Sequence, residues 1–514
     1  MHILANSERA LIALLCHNTW VWQPEHASCV FSASRLRISP KQPLRMSALF
    51  KSALEQAELL NRREISAVEL MQDTLARIKT INPQVNAIIS LREEADLLAQ
   101  AAQADKSSRT GWMHGLPIAI KDLHDVKDMP SSMGSAIFAD YISEKDDIAV
   151  ARVRAAGAII IGKTNTPEFG LGSHTYNPVH GTTFNPYDLS KSAGGSSGGA
   201  AVALSTRMLP LADGSDMMGS LRNPAAWNNV YGFRPSFGLV PSEPRAEMFL
   251  QQNTTQGPMA RSPRDLAAFL SVQAGRDKRQ PQGLEAQDYL NLMRPDLHEK
   301  RLAWLGDWSG QLQIKPELIS ASDAAVYAFK ELGADVDSLE APFSLDDIWQ
   351  SWTILRSWAI ACSEAANYHA PDHRKLLKPE AIWEIERGLS FTGQELHAAS
   401  VLRTSWFKKY MKLLETYDAI ILPSTQIWPF KANLAHPSHI NAQPMDSYHR
   451  WMQIVTPASL LGVPVVNLPA GFGAAGLPFG LQLMAARGDD LKLLCMAEAW
   501  HRQCDWPSLR PPSL

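Results

Sequence analysis

The apolar positions of this chain alternate between short β-branched runs and longer stretches of helical spacing. After Ser66-Ala-Val-Glu69, a capping-box pattern, Val68, Met71, Leu75 and Ile78 recur every three or four residues, and Asn82-Pro83 predicts the stop. Residues 48–60, 93–105, 148–156, 316–332 and 491–502 also carry helical patterns, and Ser262-Pro263 predicts an N-cap with proline at the first helical position. Strands are predicted at 88–91, 116–121, 158–161, 301–305, 419–423, 463–468 and 477–483, with a further apolar segment at 230–238. Strands alternating with helices predict an α/β body whose mixed sheet is flanked by helices on both faces. Residues 340–415 break that alternation. They are helix-prone, carry Trp349, Trp352, Trp358, Trp383 and Trp406, and predict a mostly helical insertion.

Composition narrows the class. The chain has 514 residues, 45% hydrophobic and 20% charged, the balance of an ordinary globular protein with room for a large core. A formal net charge of −3 offers no basic field for nucleic acid. No apolar run reaches the roughly 20 residues of a membrane span. Cys16, Cys29, Cys362, Cys495 and Cys504 are scattered and odd in number, which argues against a disulfide framework or a zinc site; a cytoplasmic location is the expectation. Residues 1–45 fit neither a signal peptide nor a transit peptide, and Met46-Ser47 precedes the first clean helical pattern. Met46 is therefore the expected start, with 1–45 upstream sequence read in frame; the alternative is a real N-terminal extension, expected to be disordered, and 46–510 is expected to form a single domain including the helical insertion.

Candidate chemistry concentrates between Ser192 and Pro224. Two Gly/Ser-rich segments, Gly194-Gly195-Ser196-Ser197-Gly-Gly199 and Gly214-Ser-Asp-Met217-Met218-Gly219-Ser220-Leu-Arg-Asn-Pro224, bracket an apolar run that predicts one short helix and one short strand. Glycine permits sharp turns and bares backbone N–H groups, and hydroxyls held in such loops are candidate nucleophiles. Lys121 ends the strand predicted at 116–121; if it is buried, the neutral amine is favoured and becomes a general base for Ser196, Ser197 or Ser220. A Ser-His-Asp triad is the competing arrangement, with His114, His124, His174 and His180 at hand, but Ser220, followed by Leu221-Arg222, lacks a G-x-S-x-G elbow. Gly157-Ala-Ile-Ile-Ile-Gly162-Lys163-Thr164 matches the phosphate-loop pattern. However, its strand lies between the glycines and Pro167 interrupts the helix that should follow, so a buried strand with a turn at 162–165 is expected instead.

These segments together resemble the amidase signature family. Gly115-Leu-Pro-Ile-Ala-Ile-Lys-Asp122, Gly162-Lys-Thr-Asn-Thr-Pro-Glu168, Gly257-Pro-Met-Ala-Arg261, Asp418-Ala-Ile-Ile-Leu-Pro423 and Gly480-Leu-Gln-Leu483 fit it as well. The resemblance implies a Ser-cisSer-Lys triad, with Ser220 as nucleophile, Ser196 bridging after a cis Gly195–Ser196 bond, and Lys121 as base. It implies an oxyanion hole from the amides of Met217, Met218, Gly219 and Ser220, an acyl-enzyme, and no cofactor or metal. Met218 departs from the Gly-Gly that such enzymes often carry before the nucleophile. Asp216 and Arg222 are expected to brace the loop. Gly194, Gly195, Trp227 and Asn228 are the candidate substrate contacts, and the aromatics at 349–406, with Trp428, Tyr448, His449 and Trp451, are candidates for a cleft lining. The expected substrate is a small amide, with no nucleic-acid or membrane partner and a homodimer as the candidate assembly. Two alternatives stand beside it. One is the ammonia-supplying component of a glutamine-dependent transfer-RNA amidotransferase, which needs further partner proteins. The other is a catalytically inactive binding homologue.

Overall fold

Local signals place the first helices. Ser66 caps the helix Ala67–Val85 through a reciprocal capping box with Glu69, as its spacing predicts. That helix runs past the expected stop and holds Pro83 in its last turn. Proline costs one helical hydrogen bond there. Asn82 compensates locally: its Oδ1 accepts from the amides of Ala87 and Ile88 (2.9 and 2.8 Å), so the chain turns at Asn86 instead. Ser262 accepts from the Asp265 amide to cap Pro263–Gln273. The structure is a computed structural model describing residues 48–245 and 247–514. The expectations for residues 1–45 lie outside the described residues.

Eleven strands form one mixed sheet. In chain order they are β1 (Ile88–Ile89), β2 (Pro117–Lys121), β3 (Ile159–Thr164), β4 (Leu211–Asp216), β5 (Tyr231–Arg234), β6 (Thr255–Ala260), β7 (Arg301–Trp304), β8 (Asp335–Ser338), β9 (Ala419–Pro423), β10 (Val465–Phe472) and β11 (Pro478–Met484). Across the sheet the order is β1-β3-β2-β4-β6-β5-β10-β11-β9-β7-β8. The pairs β3/β2, β2/β4, β9/β7 and β7/β8 are parallel; the others are antiparallel. Every residue of β2, β3, β4, β5, β6, β9 and β11 is buried. Side chains alternate between faces along a strand, so unbroken burial means both faces are covered.

Three differences from the sequence pattern have local causes. β3 continues through Gly162, Lys163 and Thr164, where a turn was expected, because Lys163 finds partners inside: His124 O at 2.6 Å, Ser131 Oγ at 3.2 Å and Asp122 Oδ1 at 3.3 Å. The lysine of the formal phosphate-loop match is thus spent within the protein. β6 was not expected, since Gly257-Pro258 interrupts its pattern; β5 pairs only with Met259 and Ala260, so Pro258 sits where one side carries no ladder. The polar β8 forms one edge of the sheet. Residues 345–414 carry the helices Leu345–His369, Pro371–Arg374, Pro379–Ser390 and Gly393–Leu414. Among the described residues no helix is long and apolar enough to cross a membrane.

Candidate active site

β2 and β4 run parallel as neighbours, and their C-terminal ends bring the candidate residues together. Lys121 closes β2. Its amide donates to Asp213 Oδ1 on β4 (2.8 Å), which fixes the strand end, and its side chain is fully buried. Nζ lies 2.7 Å from Ser196 Oγ, 2.8 Å from Ser197 Oγ and 3.0 Å from Ser215 Oγ. Burial pulls the Lys121 ammonium down from its ordinary value to about 7, against the charges of Asp213 and Asp216, which favour the proton. A neutral amine offers two N–H groups and one lone pair to these three hydroxyls, so one hydroxyl donates to it.

The first Gly/Ser segment approaches from above the strand ends. The Gly195–Ser196 peptide is cis. Gly194 has φ +77°, and a Cβ there would lie 3.0 Å from Pro224 Cα. The Gly194 and Gly195 carbonyls are held by Thr175 Oγ1 (2.8 Å) and Ser173 Oγ (2.5 Å). Ser197 precedes the helix Gly198–Ser205, and its amide donates to Ser220 O (3.3 Å), tying the two segments together.

The second segment turns sharply after β4. Asp216 is fully buried beside Arg222 (Nη2 to Oδ1, 3.0 Å) and Arg234 (Nη1 to Oδ1, 3.1 Å). Burial alone would raise its carboxyl, but the two guanidiniums more than offset it and hold it well below the usual carboxylate range. The charged carboxylate accepts from the amides of Gly219 (2.9 Å) and Leu221 (3.1 Å). That corrects one expectation: the Gly219 N–H is taken by Asp216 and is not an open oxyanion donor. Among the described residues, the amides of Met217, Met218 and Ser220 have no hydrogen-bond partner. Gly219 has φ +80°, and a Cβ would come within 2.9 Å of Val455, so glycine is required there. Met218, by contrast, lacks a positive φ; its side chain is buried in the main hydrophobic core, which is how a bulky residue is tolerated at this position. Ser220 is 7% exposed and Ser196 2%.

Trp227 and Asn228 sit behind these loops, in place of the substrate contacts expected. Trp227 is fully buried, stacks on Trp451 at 5.7 Å and donates from Nε1 to Ile427 O (3.2 Å). Asn228 Nδ2 donates to Ala193 O and Pro224 O, both at 2.7 Å, bracing one loop against the other. Trp352, Trp406 and Trp451 are core residues too, and their size explains why the sequence could not separate core from cleft. The four histidines find other partners. His114 pairs with Ala104 O, His124 with Asp213, His174 with Ser192 and Ala432 O, and His180 with Ser132.

The helical segment reaches the same loop. Arg356 is buried with Glu384 (2.7 Å), and burial's upward push on that carboxyl is more than offset by the guanidinium. Arg356 also donates to Tyr448 Oη (2.9 Å) and to Met217 Sδ (3.0 Å). Met217, Phe169 and Tyr368 pack, half-buried, on an apolar group of Leu171, Ile360, Leu377, Ala381 and Ile385. Sequence reasoning missed Ser215, Asp213, Arg356 and Glu384; none stands in a motif that marks its partner.

The family model described as Amidase matches residues 69–494, and the chain belongs to that family, the amidase-signature enzymes. It is a hydrolase acting on amide C–N bonds. It is 30% identical to an acylamidase of Rhodococcus erythropolis, over 90% of this chain and 97% of that protein. It is 31% identical to the A-type component of the glutamyl-tRNA(Gln) amidotransferase from Cyanothece sp., over 90% of this chain and 99% of that protein. Among solved structures, a bacterial aryl acylamidase of the amidase signature enzymes superposes with a TM-score of 0.83 at 27% identity, covering 90% of this chain and 99% of the other.

Proposed function

We propose that this amidase hydrolyses a small, predominantly apolar carboxylic acid amide to the acid and ammonia or amine, through an acyl-enzyme on Ser220. The observation that carries the reading is the buried Lys121 amine, 2.7 Å from Ser196 Oγ and near neutrality in its proton affinity. Neutral Lys121 takes a proton from Ser196 as Ser196 takes one from Ser220, and Ser220 Oγ bonds to the amide carbon. The carbonyl oxygen gains the charge and is met by the open amides of Met217, Met218 and Ser220. The C–N bond then breaks as the relayed proton passes to the leaving nitrogen. Water, giving its proton back through the same relay, cleaves the ester and releases the acid.

Two features support an apolar acyl group. Met217 of the nucleophile loop packs, half-buried with Phe169, on an apolar cluster, and the nearby Arg356 charge is already matched by Glu384. The acylamidase relative is consistent with this. The amidotransferase relative supports the second reading, in which the site releases ammonia from glutamine within a larger assembly. The intact Lys121, Ser196 and Ser220 weigh against an inactive binding homologue. Ammonia and amine release from a panel of aryl, alkyl and amino-acid amides tests the choice: turnover of anilides or alkyl amides well above glutamine is expected, and turnover of glutamine alone would reverse it.

A further inference from the structure

Directly behind Lys121 lies a buried pair that the triad does not use. His124 Nδ1 is 2.6 Å from Asp213 Oδ2, and the two side chains are 6% and 5% exposed. The other oxygen, Asp213 Oδ1, accepts from the Lys121 amide at 2.8 Å. The His124 amide in turn donates to Lys121 O (3.0 Å), closing a tight turn. One carboxylate therefore touches the lysine's own backbone on one side and an imidazole on the other.

We propose that His124 and Asp213 are positioning residues for the Lys121 base: the imidazole N–H draws the Asp213 charge toward itself and so limits how strongly that charge holds a proton on Lys121. This rests on Lys121 acting as the base in the proposed function. The remaining charges around Lys121 leave Asp213 as the adjustable one. Asp216 is matched by Arg222 and Arg234. Lys163 on β3 is matched by Asp122 (3.3 Å), and its ammonium also caps His124 O. Ser196, Ser197 and Ser215 contribute only hydroxyls. Among the described residues, Asp213 alone is charged, buried, bonded to the Lys121 backbone and partnered by a single hydrogen-bond donor besides it.

The two substitutions have opposite signs. Asp213→Asn keeps an oxygen for the Lys121 amide but removes the charge, so the lysine loses its proton more readily. His124→Phe leaves the carboxylate charge unrelieved, so the lysine holds its proton more tightly. The readout is the pH dependence of Ser220 inactivation by an alkyl fluorophosphonate, which needs no knowledge of the substrate. The acid limb is expected to move down by about one pH unit in Asp213→Asn and up by about half a unit to one unit in His124→Phe. The double variant is expected to follow Asp213→Asn alone, because His124 acts only through Asp213. Should His124→Phe fail to fold, His124→Asn retains an N–H donor and is expected to shift the limb upward by less. Unmoved limbs, shifts of the same sign, or additivity in the double variant would overturn the pair, with the Lys121 dependence itself intact. An inactivation profile unchanged in Lys121→Ala would instead overturn the base assignment, and the pair with it.

Discussion

A lysine held among three hydroxyls in the interior has a measurable consequence for both rate and stability. Burial lowers Lys121 from 10.5 to about 7, so the neutral amine that accepts a proton is present above that pH and lost below it. The rate is expected to rise through pH 7 on this limb, and Lys121→Ala to lose roughly 10²–10⁴-fold and the limb together, as read from steady-state pH profiles. The stability sign follows from the same shift. Between pH 7 and 10.5 the unfolded chain binds a proton that the folded chain does not, so stability rises with pH across that window. Lys121→Met carries no charge in either state. Urea titrations at several pH values are expected to show its stability curve flatter by up to about 1.4 kcal/mol per pH unit. The proposed nucleophile, Ser220, stands out in sequence because hydroxyl and glycine fall together in an ordered motif. Asp213 was not: nothing in a linear reading tells that its carboxylate meets an imidazole 89 positions away.

At the scale of elements, two braces hold the Gly/Ser loops of the candidate site. Asn228 bonds both loops with one amide group, and Asn228→Ala leaves the Ala193 and Pro224 carbonyls unpaired in the interior. A loss of about 1–3 kcal/mol in chemical denaturation is expected, together with a lower kcat. The second brace is the Arg356–Glu384 pair, which carries the helices Leu345–His369 and Pro379–Ser390 against Met217. Glu384→Gln removes a charge that offsets a fully buried guanidinium, and a loss of roughly 3–5 kcal/mol is expected in thermal or urea unfolding. Element existence was largely readable, since β2, β9 and β11 are predominantly apolar runs and Ser66 and Ser262 sit at true caps. What escaped were elements whose stability comes from neighbours. β6 contains Gly257 and Pro258 yet is held between β4 and β5, and β3 extends through Lys163 because buried acceptors await that ammonium.

Across the whole molecule, the sheet order is what converts scattered motifs into a site. β2 and β4 become neighbours only by a crossover, and that adjacency sets Lys121 beside the Ser215–Ser220 turn. The strand order and the reach of Arg356 to Met217, 139 positions apart in sequence, are products of tertiary packing, and periodicity carries no record of them. The proposed apolar acyl group predicts the direction of specificity: kcat/KM is expected to increase with the apolar area of the acyl group across a series of simple amides, at up to about 0.8 kcal/mol per added buried methylene.

The proposed function stands on acylation of Ser220 under the control of Lys121. Treatment with an alkyl fluorophosphonate, followed by intact mass and peptide mapping, tests it most directly. A single adduct is expected, on Ser220, formed at a rate that falls as pH drops below about 7 and that collapses in Lys121→Ala. An adduct on any other residue, or Ser220 labelling at the unaltered rate in Lys121→Ala, would contradict it.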